Sequence, residues 1–132
     1  MLISTKGRYA LRVMIDLAEH ADEGYIPLKE IAERQGISKK YLEIVVRSLV
    51  QAKLLTAASG KGGGYQLARK PEAYPIGEIL ERMEGTLAVV SCLSEGAAAC
   101  ARASGCKTLP LWREFNQLCQ DFFYHKTLAD LL

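Results

Sequence analysis

The chain of 132 residues has no apolar stretch near the roughly 20 residues that a membrane-spanning helix needs. Nor does an apolar core of the secretory-signal kind follow its first residues. A cytoplasmic location without membrane association is therefore expected, and with it reduced thiols rather than a disulfide framework. Histidine is scarce: His20 and His125 are the two in the chain. There is no Cys-x-x-Cys pair, and no nucleophile stands in a recognisable pairing with a histidine. A small redox or metal-transfer enzyme lacks its usual residues, and no enzyme is expected. The glycine-rich stretch "GKGGG" lacks the Gly-Lys-Ser/Thr ending and following helix of a phosphate-binding loop, because Tyr65 comes next and opens a strand-like segment. Internal repeats and low-complexity segments are also missing.

What is present is a globular balance, 49% hydrophobic and 24% charged, in a length that suits one compact unit with a tail. The formal net charge of +2 names no partner, but its distribution is uneven. Residues 1–70 hold 12 Lys or Arg against 7 Asp or Glu, whereas residues 71–132 hold 5 against 8. From Gly36 to Lys70 there are seven basic residues and one acid, Glu43. Such a local positive surface suits either a phosphate backbone or an ordinary solvated face.

Ser4 or Thr5 can cap a first helix in which Tyr9, Val13, Met14, Leu17 and Ala18 recur at helical spacing, ending near Gly24. A shorter helix runs through Ile31 and Ala32 to a stop at Gly36, and Ser38 then caps a third. In the third helix Leu42, Val45, Val46 and Leu49 stand at i, i+3, i+4 and i+7 and face a core, while Lys39, Glu43 and Arg47 recur every four residues on another face. Two helices joined by the short turn "GIS", the second with a basic exposed face, have the form of a helix-turn-helix. Next, "LLTAAS" and "YQLAR" read as two short strands around the glycine-rich tip, with Lys61 free to reach phosphate or a narrow minor groove. Helix-turn-helix plus hairpin predicts a winged helix, mostly α with a small β-hairpin wing.

Pro71 and Pro75 bracket a linker, and Ile76, Ile79, Leu80 and Met83 form a fourth amphipathic helix ending at Gly85. Pro110 opens a longer helix whose apolar band contains Leu111, Trp112, Phe115, Leu118, Cys119, Phe122 and Phe123. The band's width suggests that it packs against a second copy of itself as well as against its own domain. Cys119, on that band, reads as a small buried hydrophobe. Thr127 and Asp130 stand at capping-box spacing before a final helical turn.

Between these helices Cys92, Cys100 and Cys106 follow the pattern C-x7-C-x5-C, in a segment with no large apolar residue after Leu93. That segment cannot build a core of its own. Thiolates are soft ligands for an iron-sulfur cluster, zinc or Cu(I), although structural zinc sites show tighter Cys pairs and a clear fourth ligand. Free or redox-active thiols are the other reading, with Arg102 and Lys107 supplying a positive field.

The segments "MLISTKGRYALRVMIDLA", "IAERQGISKKYLE" and "GGGYQLAR", the three cysteines and the closing "TLADLL" together resemble the Rrf-type family of winged-helix transcriptional regulators, whose members include IscR, NsrR and CymR. The resemblance spans essentially the whole chain. It implies a homodimer, held by the long C-terminal helix, that binds palindromic double-stranded promoter DNA. It makes Ser38, Lys39, Lys40, Tyr41 and Glu43 the start of a recognition helix that continues to Arg47, with Lys61 in the wing. Glu43 matches a base-reading position, and a carboxylate accepts from cytosine N4 in the major groove. In cluster-bearing members the equivalents of Cys92, Cys100 and Cys106 hold a [2Fe-2S] or [4Fe-4S] cluster whose state controls DNA binding. Other members imply cluster-free control by thiol oxidation or by a protein partner. The ligand histidine of some members is Leu109 here and the N-terminal aspartate of others is Arg8, which leaves a carboxylate, a histidine such as His20, an exogenous thiol or water as the fourth ligand. The implied organisation is a winged helix-turn-helix domain over residues 1–85, a cysteine-containing sensor loop over 86–107, and a dimerisation helix with its closing turn over 108–132.

Overall fold

In the computed structural model, which describes residues 2–132, helix α1 spans Thr5–Glu19. The Ser4 hydroxyl accepts from the Gly7 N–H at 3.2 Å and so occupies one of the helix's otherwise unpartnered donors. Glu84, far along the chain, accepts from both the N–H and the hydroxyl of Ser4, at 2.9 and 2.7 Å. Ala10, Val13, Met14 and Leu17 form the buried stripe of α1. The helix stops at Glu19 rather than near Gly24, and Ala21–Glu23 make a separate 3₁₀ turn. Asp22 and Glu23 are unfavourable at the negative end of a helix dipole, which accounts for the early stop.

Helix α2 spans Leu28–Gln35 and α3 spans Lys39–Gln51. Gly36 takes the left-handed conformation that ends α2, with φ 63° and ψ 35°, and Ser38 caps α3 by accepting from the Tyr41 N–H at 3.2 Å. Strands β1 (Leu55–Ala58) and β2 (Gly64–Leu67) pair antiparallel with Leu55 opposite Leu67 and Ala58 opposite Gly64. Ile26 extends the hairpin by exchanging backbone hydrogen bonds with Tyr65, both at 2.9 Å. Helix α4 spans Ile76–Glu84 and α5 spans Leu109–His125, and a closing 3₁₀ turn over Leu128–Leu131 carries the expected Thr127 and Asp130 capping box.

The core lies where α1 crosses α3 and α4, and it is filled by Met14, Leu17, Leu42, Leu49, Ile79 and Leu80 among others. The stretch between Pro71 and Pro75 is more than a linker. It forms a 3₁₀ turn over Pro71–Ala73, and Tyr74 is fully buried. The Tyr74 hydroxyl donates to the Leu54 carbonyl at 2.7 Å and accepts from the Ala68 and Arg69 N–H groups at 2.8 and 2.9 Å. One phenol thereby joins the end of α3, the exit of β2 and the start of α4, and burial raises its pKa above the usual value.

Helix α5 lies on α4, with the Tyr124 ring so close over Gly77 that a Cβ there would overlap it. The chain then returns to the winged helix: the Ile76 N–H donates to the Lys126 carbonyl at 2.8 Å, the Leu128 N–H donates to the Tyr74 carbonyl at 2.9 Å, and Leu128 is buried. The apolar band of α5 is otherwise open. Leu111, Phe115, Leu118 and Phe122 are 57%, 45%, 63% and 59% exposed. Cys119 corrects the expectation of a buried position, because it is half-exposed and lines a groove of about 770 Å³ with Phe115, Leu118 and Phe122. Phe123 of the band packs on the core, whereas the stretch around Cys119 is turned outward, so the chain covers this thiol only in part.

Candidate DNA-binding face and cysteine segment

The face that presents α3 is fixed from behind by a buried charge. Asp16 is 1% exposed, and its carboxylate accepts from Arg34 Nη2 at 2.7 Å, Arg34 Nε at 3.0 Å and Gln35 Nε2 at 3.0 Å. Burial alone would raise this carboxyl's pKa. The hydrogen bonds from Arg34 and Gln35 and the charges of Arg34 and His20 outweigh burial and hold it below the ordinary value. Arg12 donates to Gln35 through its guanidinium, so α1 grips the last turn of α2 at two points and sets the angle at which α3 emerges.

On α3 itself Leu42, Val45, Val46 and Leu49 are buried, as their spacing predicts, while Ser38, Lys39, Lys40, Glu43 and Arg47 are exposed. Tyr41 is half-buried and meets Tyr9 edge to face at a centroid distance of 5.5 Å. Lys61 is exposed at the tip of the wing. Among the described residues no ion pair engages Lys39, Lys40, Glu43, Arg47 or Lys61. The fold brings Glu43 and Arg47 together with Ala57 and Tyr65 of the wing around a cleft of about 410 Å³. Arg69, in the same basic stretch of sequence, is spent differently: its guanidinium donates to both oxygens of Glu78 at 2.8 and 2.9 Å and lies 5.0 Å from the Tyr74 ring centre. Sequence spacing gave no sign of this pair, nor of the Asp16 network or the role of Tyr74, because each joins residues that only the tertiary fold places together.

The cysteine segment lies between α4 and α5. It contains two isolated 3₁₀ turns, Ser91–Leu93 and Ala103–Gly105, and residues 95–105 are exposed throughout. Cys92 and Cys100 are exposed and Cys106 is half-buried. Among the described residues no three His, Cys, Asp or Glu side chains are grouped closely enough to hold a metal ion. The donor chemistry of three thiols suits an iron-sulfur cluster, but this conformation does not gather them. His20 is held at the end of α1, with Nδ1 2.7 Å from the Asp16 carbonyl. The Thr108 hydroxyl lies 3.4 Å from the Cys106 sulfur, and that hydrogen bond, with backbone N–H groups and the Arg102 charge behind it, lowers the thiol's pKa. At its start the segment is tied to α5, where Asn116 Oδ1 accepts from the Val89 N–H at 3.0 Å.

A helix-turn-helix whose second helix exposes a basic face, backed by a glycine-tipped hairpin, is a winged-helix DNA-binding module. Residues 3–132 match the family model Rrf2, described as an iron-dependent transcriptional regulator. The HTH-type transcriptional regulator IscR of Erwinia tasmaniensis is 36% identical over 132 residues, which is all of this chain and 79% of that protein. Among solved structures, CymR, the global cysteine regulator of B. subtilis, is similar with a TM-score of 0.80 and 35% identity, covering 99% of this chain and 95% of that one. T. potens IscR gives a TM-score of 0.73 and 33% identity, covering 99% of this chain and 85% of that one. The chain belongs to the Rrf2 family of transcriptional regulators. Its relatives are named as regulators rather than enzymes.

Proposed function

We propose that the chain acts as a homodimer on palindromic duplex DNA, reading it with α3 and the wing, and that an iron-sulfur cluster on Cys92, Cys100 and Cys106 sets its affinity. The observation that carries the DNA reading is the exposed row of Ser38, Lys39, Lys40, Glu43 and Arg47, together with Lys61 exposed at the wing tip, with none of these charges in an ion pair among the described residues. The lysines and arginine supply phosphate contacts and Glu43 the one acceptor aimed at bases. The open α5 band supports a dimer, since an apolar helix face of this width is costly to leave in water. When bound, the cluster supplies a centre that responds to redox state, nitric oxide or iron-sulfur supply. The chain's own part is to bring a segment without a core to one point and pass the change through Asn116 to α5, altering the spacing of two recognition helices.

A second reading, control by the thiols alone, is favoured by the exposure of Cys92 and Cys100. The two separate in one experiment. Anaerobically purified protein is assayed for visible absorbance, iron and acid-labile sulfide, and its DNA affinity is compared with that of the Cys92→Ser, Cys100→Ser, Cys106→Ser variant across redox conditions. Matched iron and sulfide with a redox-dependent affinity lost in the variant is the expected outcome. Colourless protein whose affinity still follows oxidation would transfer control to the thiols, and identical affinity under every condition would remove the cysteines from regulation.

A further inference from the structure

Among the described residues, every large hydrophobic side chain left exposed lies on α5 or within two residues of a chain end, except Ile44, which is 52% exposed in the middle of α3. Its placement is not a by-product of core packing. The core stripe of α3 is Leu42, Val45, Val46 and Leu49, and Ile44 is outside the hydrophobic cluster and outside the partly buried side chains packed on it. Instead Lys40, Glu43, Ile44 and Arg47 stand at i, i+3, i+4 and i+7, and all four are exposed on one face. A β-branched residue at an exposed helix position has a weaker helix propensity than the straight-chain polar residues that usually occupy such faces. Ile44 neither solvates the face nor adds to the fold.

In the major groove one base-edge group is apolar, the C5-methyl of thymine, and side chains without polar atoms are its matching partners. We propose that Ile44 is a specificity-determining residue that selects thymine by packing on this methyl, beside the base pair contacted by Glu43. The inference rests on the reading of α3 as the recognition helix. Residues 43 and 44 are successive on a helix that rises about 1.5 Å per residue, against about 3.4 Å per base pair, so their targets lie within two base-pair steps. The site therefore pairs a cytosine, whose N4 donates to Glu43, with a nearby thymine. Discrimination also comes from the wrong bases: an amino group or ring nitrogen set against Ile44 loses its water and gains no hydrogen bond.

The test uses the full chain and a random-sequence DNA duplex library. Wild type and Ile44→Ala each select their preferred duplexes, and each thymine of the wild-type motif is then replaced in turn by deoxyuridine, which removes the methyl and nothing else. The expected result is one thymine whose replacement weakens wild-type binding about fourfold, the value of one buried methyl-sized group. Ile44→Ala should be insensitive at that position and should keep the rest of the motif. The deoxyuridine series needs no protein variant, so its negative outcome stands even if Ile44→Ala folds poorly. A motif in which no thymine-to-deoxyuridine change alters wild-type affinity would overturn the role of Ile44 and leave α3 as the reading helix. Failure of wild type to enrich any motif would overturn the α3 reading and this inference with it.

Discussion

At the scale of single residues, the chain separates charges that hold the fold from exposed charges that the fold does not engage. Asp16 and Arg34 belong to the first kind. The carboxyl's pKa is lowered in the folded chain, so its contribution to stability is fully present above the ordinary value of 3.8 and is lost as pH falls through the lowered folded value. Acid titration of unfolding should show that loss in wild type and a flatter profile in Asp16→Asn. Arg34→Ala should cost about 3 kcal/mol in denaturant unfolding, because it leaves a buried carboxylate without its guanidinium. Lys39 and Lys40 belong to the second kind. A Lys39→Ala, Lys40→Ala variant should keep its thermal midpoint but bind all duplexes more weakly, with a log-log salt slope reduced by about 2. The second kind was legible in the sequence, since a helix cap and a 3.6-residue period decide which side chains of α3 face outward. The first was not: Asp16 and Arg34 are 18 positions apart and meet only because α1 crosses α2.

At the scale of elements, the five helices and both strands stand where period, caps and breakers put them except at the end of α1, which stops at Glu19, because Ser4, Gly36, Ser38, Gly85 and Pro110 act locally. Packing between elements is what local rules miss. The interval from Pro71 to Pro75 looks like a connection until Tyr74 is seen to satisfy three backbone groups at once. Gly77 likewise looks like a weak helix residue, yet its missing side chain is the seat of the Tyr124 ring. Burial and its hydrogen bond to Glu81 push the Tyr124 pKa up to about 12, so the phenol at the α4 and α5 contact stays neutral well into the alkaline range. Gly77→Ala should therefore lever α5 away from α4, costing about 1–3 kcal/mol and speeding hydrogen exchange in α5 more than in α3.

At the scale of the whole molecule, the exposed band of α5 is the face that the proposed dimer would bury. Leu118→Glu with Phe122→Glu places charge on the open face without touching the buried core. Sedimentation velocity should then show a monomer where wild type is a dimer, with DNA affinity falling because two half-sites are no longer held together. An unchanged sedimentation coefficient would remove α5 from the interface. The sequence made the apolar band plain, but the half-exposed Cys119 could be placed only once α5 was seen to turn the stretch around it outward.

The bonds that join Ile76 to Lys126 and Leu128 to Tyr74 give the second half of the chain the form of a helical hairpin fastened at its open end, with the three cysteines in its turn. A hairpin closed in this way tolerates a turn of almost any length: doubling such a loop costs only about 0.6 kcal/mol in closure entropy. The spacing between the cysteines can therefore drift while the α4 and α5 stem and the winged helix stay as they are. The stem is built once, and the turn that carries the thiols is free to vary.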